Sequence, residues 1–210
     1  MMNAILVIVG PSGVGKTTVA NRVVEMDPSF EFVRSATTRA PRGDGNDSEY
    51  LYITREEFLD RVNSGKMLEY MEYGSNLYGT PASEVERIHQ EGKTPLLVLD
   101  IEGAKSLRKG NFGFRSVIIY VYEELSVINA RLLARAGATP DSVARRCELN
   151  KRDYLSMPEI SHLFDDFFRN EKVDASAVGV MEIFSEVCNG AARPDAKISE
   201  IAQELYNSAL

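Results

Sequence analysis

Cysteine and histidine are scarce in this sequence, which holds two residues of each type among 210. Cys147 and Cys188 lack the C-x-x-C spacing, and His89 and His162 are equally isolated. Structural metal sites need such ligands at short, regular spacings. The sequence therefore favours thiols in the core or on the surface over a metal site or a disulfide.

Long apolar runs are also missing, and the longest apolar segments have the length of a β-strand. A helix that spans a membrane needs about 20 predominantly apolar residues, and no charged segment leads into an apolar one near Met1. We therefore expect neither a membrane span nor a signal peptide, and a cytoplasmic location. The net charge of −7 argues against a nucleic-acid-binding surface, although it leaves room for local basic pockets around small anions.

The composition is that of an ordinary folded domain, with 44% hydrophobic and 26% charged residues. Apolar, strand-like segments at Ile5–Val9, 93–100 and 116–122 alternate with helical patterns. Such alternation predicts an α/β fold whose parallel sheet core is flanked by helices on both faces.

A glycine-rich segment, GPSGVGKT at residues 10–17, follows the first strand and precedes a helical pattern from Lys16 to about Met26. It fits G-x-x-x-x-G-K-[ST], the phosphate-binding loop, in the strand-to-helix context that the motif requires. Glycines let the backbone approach a polyphosphate closely, and the helix N-terminus adds its positive dipole end. Lys16 can then reach the outer phosphates, and the Thr17 hydroxyl can help to coordinate Mg²⁺. The alternative is a turn that merely connects strand to helix, but Lys-Thr would then have no evident purpose in packing.

Residues 35–81 are expected to form a small insertion of strands and one helix. FEFVRS at 30–35 predicts a strand, and a loop rich in Gly, Asp and Asn follows it. Thr54 and Glu57 have the form of a capping box, which predicts a short helix over 55–64.

The second half of the chain continues the alternation. The segment 125–157 predicts two helices joined at RAGATPD, where Thr139 caps the second helix and Pro140 lies in its first turn. FDDFFRN at 164–170 predicts a last short strand. Two helical patterns follow, so residues 191–210 are expected to be a C-terminal helical extension.

A phosphate-binding loop indicates a nucleoside triphosphate, and the second substrate must be inferred from other residues. Arg39 and Arg42 lie three apart in SATTRAPRG, and two guanidinium groups suit a monophosphate. Tyr50 and Tyr78 offer hydroxyl donors to the same anion. Each residue alone is as well explained as a solvated arginine or a half-buried tyrosine, but the set favours an anion site.

Together these motifs resemble the guanylate kinase family of nucleoside monophosphate kinases, over nearly all of residues 4–185. GPSGVGKTT resembles the family's ATP loop, SATTRAPR its S-x-T-T-R-x-x-R signature, MLEYMEYGSNLYGTP its glutamate and Y-G-T segment, and LVLDIEGAKSLR its D-I-D-x-Q-G block. The resemblance implies a P-loop kinase fold with a core of 1–34 and 82–190, a mixed α/β insertion at 35–81 that binds GMP, and a helical lid at about 131–146.

The resemblance also implies roles for individual residues. ATP with Mg²⁺ would be bound by Gly10, Pro11, Ser12, Gly13, Val14, Gly15, Lys16, Thr17 and Thr18. Guanine would be framed by Ser35, Glu69, Thr80 and Asp100, and the phosphate of GMP by Arg39, Arg42, Tyr50 and Tyr78. Lys16 and the lid arginines Arg131, Arg135 and Arg146 would act on the transferring phosphoryl group.

Elementary chemistry agrees with the role implied for Glu69. Guanine presents an N1–H and an amine along one edge, and one carboxylate can accept both, whereas adenine has an acceptor at N1 that repels it. Asp100 ends an apolar strand, where ligands bind in open α/β sheets, so it can serve the base, the waters on Mg²⁺ or both. The alternative is a carboxylate that caps the next helix.

Three segments depart from the family pattern: RAGATPD in the lid, RGDGNDSEY between Arg42 and Tyr50, which is one residue short, and Glu102 in place of an aspartate.

We expect phosphoryl transfer from ATP to GMP, and to dGMP. The alternatives are a related kinase for a phosphorylated ribose and a protein-binding module of this fold. Glu69, Thr80 and Asp100 argue against the first alternative. The intact Gly15, Lys16 and Thr17 argue against the second.

Overall fold

The computed structural model describes residues 3–41, 50–73, 75–134 and 139–210. Its strands are β1 (Ala4–Val9), β2 (Phe30–Phe32), β3 (Ser35–Thr37), β4 (Tyr50–Tyr52), β5 (Met67–Tyr73), β6 (Asn76–Pro81), β7 (Thr94–Leu99), β8 (Arg115–Tyr122) and β9 (Asp166–Arg169). Its helices are α1 (Lys16–Met26), α2 (Arg55–Asn63), α3 (Ala82–Gln90), α4 (Ile101–Lys109), α5 (Leu125–Leu133), α6 (Pro140–Leu155), α7 (Met157–Ile160), α8 (Val173–Cys188) and α9 (Asp195–Ser208).

The larger sheet has five parallel strands in the order β2-β7-β1-β8-β9. Every residue of the central strand β1 is buried, because helices cover both faces of the sheet. Helix α1 packs against α8, while α4 contacts β7 and β8. The predicted α/β fold with a parallel core is confirmed.

The smaller sheet has the order β4-β3-β6-β5, with β3 parallel to β4 and the other pairs antiparallel. Helix α2 begins at the predicted capping box: the Thr54 hydroxyl accepts from the Glu57 N–H at 3.1 Å, and the Glu57 carboxylate accepts from the Thr54 N–H at 2.9 Å. Phe58 of α2 is fully buried and packs with Met67 and Leu77 in a separate small core.

The single strand predicted at residues 30–35 is wrong, because the segment supplies strands to both sheets. Strand β2 pairs with β7 as far as Phe32, and the Val33 N–H still donates to Leu96 O at 3.0 Å. The next strand, β3, instead finds its partners in β4 and β6. At the junction the Arg34 guanidinium is paired with Glu84 at 2.8 Å. Local β-propensity does not specify which sheet a strand joins.

The helices predicted in the second half of the chain are present as α5, α6, α8 and α9. Thr139 caps α6 through the Ser142 N–H, and Pro140 occupies the first turn. Helix α9 packs against α6 and α7, and Lys197 of α9 pairs with Asp166 of β9 at 2.8 Å. Among the helices in the described ranges, none has both the length and the apolar character needed to cross a membrane.

Candidate active site

The loop between β1 and α1 adopts a backbone that requires glycine, as Gly13 and Gly15 show. Gly13 and Gly15 have φ angles of 90° and 101°. A Cβ atom on Gly13 would lie 2.8 Å from Leu132 Cγ, and one on Gly15 would lie 2.7 Å from Asn170 Nδ2. Close packing therefore fixes the loop at the N-terminus of α1, where unpaired N–H groups and the helix dipole favour an anion.

Lys16, the first residue of α1, lies along this loop. Its Nζ donates to Gly10 O at 2.7 Å and to Pro11 O at 3.0 Å. Burial lowers the pKa of Lys16 to about 8, and the nearby carboxylates of Asp100 and Asp153 oppose that shift. The ammonium is thus held by neutral carbonyls, which a phosphate oxygen can replace with a charge-assisted bond.

A cleft of about 970 Å³ opens beside Lys16, and Asp100, Arg146, Asn150 and Asp153 are among its lining residues. Asp100 caps α4, since its Oδ1 accepts from the Gly103 N–H at 2.8 Å. The alternative interpretation of Asp100 as a helix cap is therefore observed, and the residue also lines the cleft. Burial raises the pKa of Asp153 to about 6, and Lys16 acts against that shift. Sequence reasoning missed Asp153.

The structure places two of the three predicted lid arginines beside the phosphate-binding loop. Arg131 donates to Val14 O at 3.1 Å and to Asn170 O at 3.4 Å. Arg146 lines the cleft that contains Lys16. Arg135 lies outside the described residues. Arg131 therefore contacts the loop backbone directly, a contact that its position in the sequence did not predict.

Two buried asparagines support the same loop and were also missed by sequence reasoning. Asn170 Nδ2 donates to Val14 O at 2.7 Å, and its Oδ1 accepts from the Ser176 hydroxyl at 2.8 Å. Asn150 makes two hydrogen bonds to the backbone of Ser12. A buried amide needs such partners. For Asn150 the sequence held one signal of a place near the loop, namely its position four residues after Arg146 on the same helix face.

The residues predicted to bind a monophosphate converge on the smaller sheet. The Arg39 guanidinium carbon lies 5.6 Å from the ring centroid of Tyr50 and 5.8 Å from that of Tyr52. Tyr50 and Tyr78 meet edge to face at 6.4 Å between ring centroids. Tyr52, whose hydroxyl accepts from Arg39 Nη2 at 3.4 Å, was not predicted. Arg42 lies outside the described residues.

The residues predicted to read the base form a second group. Glu69 and Thr80 are paired across β5 and β6, and burial raises the pKa of Glu69 while the hydrogen bond from Thr80 lowers it. Ser35, Tyr50 and Thr80 line a cavity of about 320 Å³ together with Thr17 of α1. The cavity therefore lies next to the end of the phosphate-binding loop.

Comparison with protein families matches residues 2–187 to the guanylate kinase model. The chain belongs to the guanylate kinase family. It is 38% identical to the guanylate kinase of Nocardia farcinica over 86% of the chain and 92% of that relative. The identity to the guanylate kinase of Rubrobacter xylanophilus is 33%, over 89% of the chain and 95% of the relative. The crystal structure of guanylate kinase from Anaplasma phagocytophilum matches with a TM-score of 0.61 at 25% identity, covering 91% of this chain and 89% of that one.

The match confirms the resemblance inferred from the motifs. It includes the phosphate-binding loop, both sheets and α6. Helix α9 lies beyond the residues matched to the guanylate kinase model.

Proposed function

We propose that this chain transfers the γ-phosphoryl group of ATP to GMP, and to dGMP, giving ADP and the nucleoside diphosphate. The observation that carries the proposal is the Glu69–Thr80 pair, whose threonine lines a cavity next to the phosphate-binding loop. The half-buried Glu69 carboxylate, held beside this cavity by Thr80, suits the two N–H donors of guanine, and it disfavours bases that lack them.

The donor half of the proposed reaction uses the loop, α5 and α6. The Ser12 and Val14 N–H groups already donate to Asn150 and to Pro11 O. The other N–H groups of the loop and those of the first turn of α1 bind phosphate oxygens, and Lys16 reaches the outer phosphates. Arg131 and Arg146 lie at the same loop and stabilise negative charge on the transferring group. These residues bind and orient the donor, and the loop's fixed backbone limits reorganisation during transfer.

The acceptor half uses the smaller sheet together with Asp100, which follows β7 of the larger sheet. Arg39, Tyr50 and Tyr78 hold the monophosphate of GMP, while Ser35, Glu69, Thr80 and Asp100 frame its base. A nucleotide phosphate is already anionic, so the chain has no need of a general base. Holding both phosphates in line is the main contribution of the protein.

Magnesium fits the donor groups at the loop. Thr17 is exposed in the first turn of α1, and Asp100 and Asp153 line the neighbouring cleft. The described ranges hold no group of three or more His, Cys, Asp or Glu side chains that could bind a metal ion alone. This donor set suits an ion that keeps several waters and is held largely by phosphates, with the Thr17 hydroxyl as a protein ligand. When bound, Mg²⁺ would neutralise charge on the phosphates.

We further propose that residues 35–81 act as the GMP-binding insertion on a core of 1–34 and 82–190, and that residues 131–146 act as the lid. Closure of both parts over the substrates would exclude water and suppress hydrolysis of ATP. The cytoplasmic location and the role of 191–210 as an extension stay predictions.

An assay of ADP release across GMP, dGMP, AMP, UMP and ribose 5-phosphate tests the proposal. We expect turnover with GMP and dGMP to exceed that with the other acceptors. Preferential turnover of the phosphorylated ribose would support the related sugar-phosphate kinase instead. Binding of ATP without turnover of any acceptor would favour a non-catalytic module.

A further inference from the structure

Asn150 forms a two-point contact with the phosphate-binding loop. Its Oδ1 accepts from the Ser12 N–H at 2.8 Å, and its Nδ2 donates to Ser12 O at 2.9 Å. The Ser12 N–H can only donate and its carbonyl can only accept, so these partners fix the orientation of the amide. Asn150 is 1% exposed, and its carboxamide pairs with Ser12 as one residue pairs with another in an antiparallel ladder.

This contact determines how two peptide groups of the loop are turned. In a trans peptide the N–H and the C=O point in opposite directions. Because Asn150 holds the Ser12 N–H, Pro11 O points the other way, where it accepts from Lys16 Nζ at 3.0 Å and from the Val14 N–H at 3.3 Å. The Pro11–Ser12 peptide is therefore held from both sides.

The Ser12–Gly13 peptide is held in the same manner. Asn150 Nδ2 binds its carbonyl, so the Gly13 N–H points away from Asn150. Gly13 has a φ angle of 90°, and glycine tolerates many alternative conformations. A flip of this peptide would replace an N–H donor with a carbonyl oxygen, which repels phosphate.

Asn150 also fixes the loop relative to the rest of α6. Arg146 and Asp153 lie four residues before and three residues after it, on the same helix face, and all three residues line the cleft beside Lys16. The helix begins directly after its cap at Thr139. The contact with Ser12 thus sets the distance between the loop and Arg146, which lies one turn earlier on α6.

We infer that Asn150 is a positioning residue for the triphosphate: it keeps the Ser12 peptides turned for phosphate binding and fixes Arg146 of α6 relative to the loop. The inference rests on the proposed function in one respect, namely that the donor is a nucleoside triphosphate. It does not depend on the acceptor site, because the side-chain hydrogen bonds of Asn150 to the described residues are those to Ser12.

Two substitutions separate this role from a simple change of charge. Asn150→Leu removes both hydrogen bonds at similar volume and adds no charge. Asn150→Asp retains an acceptor for the Ser12 N–H but places an oxygen against Ser12 O. Asn207→Leu and Asn207→Asp, on the exposed side of α9, are the matched controls, and Asn150→Ser is a milder third variant should the others fail to fold.

The measurements are calorimetric Kd values for a non-hydrolysable ATP analogue with Mg²⁺ and, separately, for GMP, together with melting temperatures. We expect each Asn150 variant to weaken binding of the analogue by about tenfold or more, because buried backbone groups lose their partners. The Kd for GMP should stay within about twofold of the wild-type value in the Asn150 variants. In both Asn207 variants the Kd values for the analogue and for GMP should also stay within about twofold of the wild type.

Analogue binding within twofold of wild type in the Asn150 variants would overturn the inference. So would an equal loss of affinity for both nucleotides with a lowered melting temperature, or failure of every Asn150 variant to fold, since each would assign Asn150 a general structural role. If the wild type binds the analogue but transfers nothing to GMP, the proposed function fails while the result for Asn150 stands.

Discussion

The Thr80 hydroxyl donates a 2.7 Å hydrogen bond to Oε1 of Glu69, across the pair of strands β5 and β6. Burial raises the pKa of Glu69, and Asp100 adds to that shift, while the bond from Thr80 opposes it. The carboxylate is therefore costly to keep ionised unless further donors reach it. The N1–H and amine of guanine are suitable donors, and this need is the physical basis for base selection.

We expect Glu69→Gln to reduce kcat/KM for GMP by a factor on the order of 10², equivalent to about 3 kcal/mol, because the amide presents N–H groups toward the donors of guanine. Steady-state kinetics with GMP and AMP measure the effect. Glu72→Gln is the control, since Glu72 lies on the same strand with an exposed side chain paired to Arg55. GMP turnover that stays within twofold in Glu69→Gln would remove Glu69 from base reading.

Lys16→Met should abolish turnover while GMP still binds. The lysine contacts only the loop carbonyls of Gly10 and Pro11 among its described hydrogen bonds, whereas the acceptor residues other than Asp100 lie on or beside the smaller sheet. Calorimetry with GMP alone and an assay of ADP release test the two parts, with Lys66→Met, an exposed change, as control. Near-normal transfer in Lys16→Met would exclude this lysine from the mechanism.

The pKa of Lys16 predicts how ATP affinity depends on pH. Burial lowers this pKa to about 8, so the ammonium loses its proton, and the triphosphate loses a cationic partner, as the pH rises through that value. We expect affinity for a non-hydrolysable ATP analogue to fall between about pH 7 and pH 9, with GMP affinity as the internal control.

Asp153→Asn should move the midpoint of that fall to lower pH. The Asp153 carboxylate, whose own pKa of about 6 leaves it ionised over this range, raises the pKa of Lys16. Its removal takes away that contribution, and Asp100 remains the other carboxylate that favours the charged lysine. Calorimetric titration of the analogue across the same range measures the midpoint. A midpoint that stays fixed or moves upward would contradict the assignment.

The parts of the site that are local in sequence could be predicted, while the contacts between distant segments could not. The phosphate-binding loop is a contiguous motif whose glycines, lysine and flanking elements each follow from short-range rules. The contact of Asn150 with Ser12 spans 138 residues, and that of Asn170 with Val14 spans 156, so no sequence period indicates either. The tertiary fold brings these distant residues together.

Two further differences have different causes. The break after Phe32 follows from the partners that each half of the segment finds in two sheets, and no residue within FEFVRS marks it. Tyr52 was missed although it lies two residues after Tyr50, on the same face of β4. That spacing is a signal that sequence reasoning could have used, because alternation places both rings beside Arg39.

Arg39→Met should weaken GMP binding through the phosphate alone. The guanidinium lies against the rings of Tyr50 and Tyr52, and we propose that it pairs with the monophosphate, where charge-assisted bonds contribute about 1.5–3 kcal/mol, or roughly 10- to 100-fold in Kd. Guanosine, which carries no phosphate, should bind the variant and the wild type equally well. Arg55→Met, an exposed change in the same insertion, should leave both affinities unchanged. Guanosine shares the base and ribose of GMP, so comparing the two ligands separates loss of the ion pair with the phosphate from any disturbance of the smaller sheet. If Arg39→Met weakens the binding of guanosine as much as that of GMP, the arginine supports the fold of the site and does not bind the phosphate.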